Sequence, residues 1–96
     1  MAKRKTRSLD PAELLTSPEA IAVFLTDALE TGDPAFVAAA LGVVARAKGM
    51  TEMARETGVS RESLYRALSE GGNPEFATVL KVIKALGMQL QATPAS

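Results

Sequence analysis

Helix-start and helix-stop residues punctuate this chain so closely that only short helices fit between them. Ser17-Pro18 and Asp33-Pro34 each place a capping side chain ahead of a proline at the first helical position. Thr51, Ser60 and Asn73-Pro74 repeat the start signal, and Asp10-Pro11 opens a single further turn that reaches Leu15. Gly32, Gly49, Gly58, Gly71-Gly72 and Gly87 supply the stops. Between these marks the apolar residues recur at helical spacing. Ala20, Ile21, Phe24, Leu25, Ala28 and Leu29 make one stripe, and Phe76, Val79, Leu80, Ile83 and Leu86 make another. The segment from Pro34 to about Lys48 is apolar nearly all round, Phe36 and Val37 included, and is expected to be the central and most buried helix. Only Met88-Gln-Leu-Gln-Ala92 alternates apolar and polar residues, which predicts a strand. The expected fold is all-α, a five-helix domain with a short C-terminal β-strand.

Ninety-six residues hold one small domain, without room for a separate cofactor domain. The expected boundaries are a basic arm over 1–9, the domain over 10–93 and a tail over 94–96. Aromatic residues make up only 4% of a chain that is 47% hydrophobic, so the core must be aliphatic. The absence of Cys excludes disulfides and thiolate ligands, and the absence of His removes imidazole base chemistry and most zinc sites. No pair of carboxylates falls in a recognisable catalytic arrangement, so the chain is read as a non-enzyme without metal or cofactor. No apolar run is long enough to span a membrane, and no hydrophobic signal core follows the basic start. A cytoplasmic protein with no membrane or small-molecule partner is expected.

Zero formal net charge conceals three zones. Lys3, Arg4, Lys5 and Arg7 make the first segment basic. From Ser8 to Ala45 the only charged residues are acids: Asp10, Glu13, Glu19, Asp27, Glu30 and Asp33. Between Arg46 and Lys84 stand Arg46, Lys48, Arg55, Arg61, Arg66, Lys81 and Lys84 against five acids. Such segregation points to two faces with different partners.

The most informative stretch runs from about 51 to 69, where two short helices meet at Gly58. Ala54, four residues earlier, is small enough for the helices to approach, and Gly58 supplies the left-handed backbone of a tight turn. At about 100° per residue, Leu64, Ala67 and Leu68 fall on the inner side of the second helix. Arg61, Glu62, Tyr65, Arg66 and Ser69 fall on the outer side, a set suited to phosphates and base edges. The pattern is that of a helix-turn-helix.

Several segments, taken in order, resemble the addiction-module antidote family. They are Ser17-Pro-Glu-Ala-Ile, Glu30-Thr-Gly-Asp-Pro-Ala-Phe36, Gly42-Val-Val-Ala-Arg-Ala-Lys-Gly-Met50, the run from Ala54 to Glu70, and Gly72-Asn-Pro-Glu-Phe76. The resemblance spans about Leu9 to Leu90 and leaves the basic start outside it. It implies a bacterial type II antitoxin, HigA-like, with an Xre-like (λ-repressor-like) helix-turn-helix. Such proteins neutralise a small, basic, RelE-like mRNA-cleaving toxin and repress their own operon by binding double-stranded operator DNA.

By analogy with Xre-like docking, Arg61 and Tyr65 are the expected base contacts, with Glu62 and Ser63 beside them. Thr51 and Ser60 are helix caps that also present backbone donors to phosphate. Arg55 and Arg66 reach phosphates or else pair with a neighbouring Glu. Asp10, Glu13, Glu19, Asp27 and Glu30 are the expected toxin-facing acids. Met88, Leu90 and Ala92 are expected to dimerise the chain by strand pairing, since a lone strand needs a partner; a frayed tail is the alternative. The basic arm either follows DNA or only solubilises the chain. Two other functions stay open from the residues alone: an autonomous repressor without a toxin, and a protein-interaction module that does not touch DNA.

Overall fold

The structure, a computed structural model, describes residues 17–95. The expected turn at 10–15, the basic arm over 1–9, Asp10 and Glu13 lie outside the described residues. Among the described residues five helices follow one another: α1 (Pro18–Glu30), α2 (Pro34–Lys48), α3 (Met50–Thr57), α4 (Arg61–Ala67) and α5 (Phe76–Ala85).

The start signals act as the residues imply for α1, α2 and α4. Ser17 Oγ accepts from the Ala20 N–H at 3.1 Å, and Asp33 Oδ1 accepts from the Ala35 N–H at 3.0 Å. Each proline that follows lacks only a donor that the first turn would have left unpaired. Thr31 stitches the α1–α2 turn: its hydroxyl donates to the Ala28 carbonyl and accepts from the Asp33 N–H.

Two expected starts are corrected. Thr51 caps nothing; it lies inside α3, and Gly49 serves as the end of α2 and the start of α3 together. The Gly49 N–H donates to the Ala45 carbonyl at 2.9 Å, while its carbonyl accepts from the Met53 N–H at 3.0 Å. This needs a backbone at φ 118°, which only glycine adopts readily. Asn73-Pro74 does not open α5 either. The chain runs without helix from Gly72 to Glu75, and Glu75 holds the extended N-cap conformation. A residue ahead of proline is biased toward extended backbone, which favours this link over an earlier helix start.

α2 is the axle of the molecule, packing against α1, α3, α4 and α5. Ala38, Ala40, Leu41, Gly42, Val44 and Ala45 are buried along it. Phe36, in its first turn, is exposed, contrary to the expectation of burial all round. Met53, Leu64, Leu68 and Val82 keep no exposed surface. The core is therefore aliphatic and thioether, as the scarcity of aromatic residues requires. Gly42 is where α2 meets the end of α4: a Cβ there would stand 2.1 Å from the Leu68 carbonyl oxygen.

The C-terminal strand is not formed. Residues 88–95 are irregular. The Met88 N–H donates to the Ile83 carbonyl at 3.0 Å, and its side chain packs against the core. A strand is stabilised by a neighbouring ladder, and the described chain offers none. Among the described residues no helix is long and apolar enough to cross a membrane.

Candidate nucleic-acid interface

The turn between α3 and α4 is built from three residues, Gly58 to Ser60. Gly58 takes φ 75°, and its N–H closes α3 on the Ala54 carbonyl at 3.0 Å. Thr57 locks the turn from inside. Its buried hydroxyl donates to the Met53 carbonyl at 2.8 Å and accepts from the Val59 N–H at 3.1 Å. Sequence reasoning missed this residue. Its signal was a hydroxyl directly before the turn glycine, where a side chain can replace a backbone acceptor.

Ser60 then starts α4, its Oγ accepting from the Ser63 N–H at 3.1 Å and meeting Ser63 Oγ at 3.0 Å. Rotation along α4 separates two faces. Leu64 and the following Leu68 are buried, while Arg61, Glu62, Tyr65, Arg66 and Ser69 are exposed. The Arg61 guanidinium carbon lies 5.9 Å from the centre of the Tyr65 ring, within cation–π range. Ser60, Arg61, Glu62 and Tyr65 together line a shallow open depression. Arg66 leans on Ser63 Oγ at 3.5 Å and has no carboxylate partner among the described residues.

α3 carries a different arrangement. Arg55 is paired with Glu52 one turn back, so of its two expected roles the intrahelical pair is the one seen. Glu56, one turn on, and then Arg55 hold the Glu52 carboxyl below its ordinary value, while Glu52 raises Arg55 further above its own. Lys48 ties the end of α2 to both neighbours, reaching Glu56 Oε1 at 3.1 Å and the Ala85 carbonyl of α5. Thr51 is exposed on α3. Six of the eight expected DNA-facing residues thus gather on α4 and its cap; Thr51 and Arg55 stand apart on α3.

Glu19, Asp27 and Glu30 are exposed on the outer side of α1, the side that also carries Val23. Leu90 lines one groove with Leu29 and Phe76, whereas Ala92 is exposed. No group of three His, Cys, Asp or Glu residues that could hold a metal ion occurs among the described residues.

The sequence can be set beside known proteins. Residues 5–94 match the family model described as "Probable addiction module antidote protein". The chain belongs to that family. A Haemophilus influenzae protein, described only as uncharacterized, is 49% identical over 85 residues, covering 88% of each chain. No solved structure matches. Family membership makes the protein the antidote of an addiction module, and an antidote has a toxin as its partner. That role is regulatory, and the resemblance read from the motifs agrees with it.

Proposed function

We propose that this antidote acts twice: it neutralises a small, basic, RelE-like mRNA-cleaving toxin by direct binding, and it represses its own operon as an Xre-like, HigA-like helix-turn-helix homodimer on operator DNA. The observation that carries the DNA half is the division of α4. Leu64 and Leu68 anchor the helix with no exposed surface, which leaves Arg61, Glu62, Tyr65 and Arg66 facing outward from a rigid support. Arg61 is suited to a guanine edge, Glu62 to a cytosine amino group, and Arg66 to phosphate. Thr51 and Arg55 flank this set from α3; phosphate draws Arg55 away from Glu52, an exposed pair that costs little to open.

The toxin half rests on charge. From Ser17 to Ala45 the described chain has acids and no Lys or Arg, and an enzyme that grips RNA must present a basic surface. Glu19, Asp27 and Glu30 on α1 are the acids that would meet it, with Asp10 and Glu13 as their sequence neighbours. Two-fold operators are read by two-fold proteins, hence the homodimer. The protein is cytoplasmic in this reading, where both the operon and the messenger lie.

The test is a gel shift of the DNA upstream of the protein's own gene, repeated across a salt series. Binding is expected to fall steeply with salt, the logarithm of the association constant losing about 0.9 per phosphate contact for each decade of salt. A shift that is absent at low salt, or equal on unrelated DNA at every salt concentration, overturns the operator reading.

A further inference from the structure

Arg46 stands in the last turn of α2 and is exposed, and among the described residues it has no carboxylate within ion-pair distance. Side chains on a helix tilt toward its N-terminus, so Arg46 reaches back one turn to Gly42. Lys48, the other cation of that turn, is instead bound to Glu56 and to the Ala85 carbonyl. Two atoms crowd the point where a Cβ on Gly42 would stand: the Leu68 carbonyl oxygen at 2.1 Å and an Arg46 guanidinium nitrogen at 3.1 Å. The guanidinium therefore lies beside the Leu68 carbonyl, where α2 meets the end of α4.

Leu68 closes α4. Its N–H donates to the Leu64 carbonyl at 2.9 Å, and the Ser69 hydroxyl donates to the Arg66 carbonyl at 3.0 Å. A helix leaves its last carbonyls without intrahelical donors, and their partial negative charge favours a cation close by. Arg66, in the last turn of α4 itself, does not supply it, because its guanidinium leans back on Ser63 Oγ at 3.5 Å. Arg46 reaches that end from a different helix. Arg61 and Glu62 open α4 at its other end, so a cation beside Leu68 acts on how the helix is held rather than on what those side chains touch.

We infer that Arg46 is a positioning residue: by holding the C-terminal end of α4 against α2, it fixes the angle at which Arg61, Glu62 and Tyr65 are presented. The inference rests on the operator-binding half of the proposed function.

Amide hydrogen exchange of the full chain, followed by NMR and set beside the operator gel shift across salt, tests it. In Arg46→Gln the Leu68 amide is expected to exchange about two- to fivefold faster, the range that a charge at a helix end supplies, while amides of α1 and α5 keep their wild-type rates. Operator affinity should fall by a similar factor at an unchanged salt slope. Arg46→Lys, which returns a cation to the same place, should recover most of both losses. A salt slope lower by about 0.9 makes Arg46 a phosphate contact and overturns the inference. Wild-type exchange at Leu68, wild-type operator affinity, or a Lys variant no better than the Gln one overturns it too. So does faster exchange shared evenly by every helix, which marks a general loss of stability. A wild type that shifts no operator DNA overturns the operator reading and the presentation of α4 to DNA with it; the Leu68 rate still decides whether Arg46 holds the end of α4.

Discussion

Arg61 and Tyr65 sit one turn apart, with the guanidinium held over the ring at 5.9 Å. An exposed contact of this kind contributes about 0.5–1 kcal/mol, enough to bias the side chain without locking it. Arg61 is thus partly ordered in the free chain, and in the proposed DNA complex less of its freedom would be lost on binding. Arg61→Ala is expected to weaken operator binding by about 1–3 kcal/mol and to relax preference at one base position. A gel-shift competition with single-base operator variants checks this; an equal loss on every sequence would make Arg61 a phosphate contact instead. The outward set on α4 was legible because helical rotation and the Ser60 cap are local properties of the sequence. Thr57 was not, because its value depends on burial, which only the packing of α3 against α4 and α5 creates.

At the scale of the elements, existence and order were legible and some boundaries were not. Ser17-Pro18 and Asp33-Pro34 announced α1 and α2 correctly because a capping side chain and a proline act within one turn. Thr51 misled because a hydroxyl early in a helix looks like a cap unless the preceding glycine is known to take φ 118°. The strand at 88–92 misled for a related reason: alternation describes the side chains, while a strand exists only where a second one pairs with it. Gly42 was read only as part of the resemblance, although it sets how closely α2 and α4 approach. Gly42→Ala would drive its Cβ against the Leu68 carbonyl, and backbone on both sides cannot yield cheaply. The expected cost is about 1–3 kcal/mol, measured as a lower urea midpoint at unchanged slope. A variant as stable as wild type would mean that α4 can slide without loss.

Among the described residues, α1 and the turn after it carry acids and no base, while the bases stand from the end of α2 onward together with five further acids. The proposed toxin-facing and DNA-facing surfaces are built on different helices, so in that reading one can be altered without the other. Glu19→Lys with Asp27→Lys is expected to abolish co-purification of the toxin while leaving the operator shift in place. Both residues are exposed, and among the described residues neither side chain has a hydrogen-bond or ion-pair partner. Loss of both activities together would place the toxin and the DNA on a shared surface. This division was visible in the sequence as a run without Lys or Arg, but the apolar groove was not. Leu29, Phe76 and Leu90 belong to separate segments, and only the folded chain brings them side by side.

One residue, Gly49, ends α2 and begins α3, and the join contains no spare length. In mechanical terms the two helices form a cranked rod rather than a jointed one. A single residue inserted there would turn everything after it by about 100° relative to α2, carrying the face of α4 out of phase with the rest of the bundle. At this corner, length is orientation.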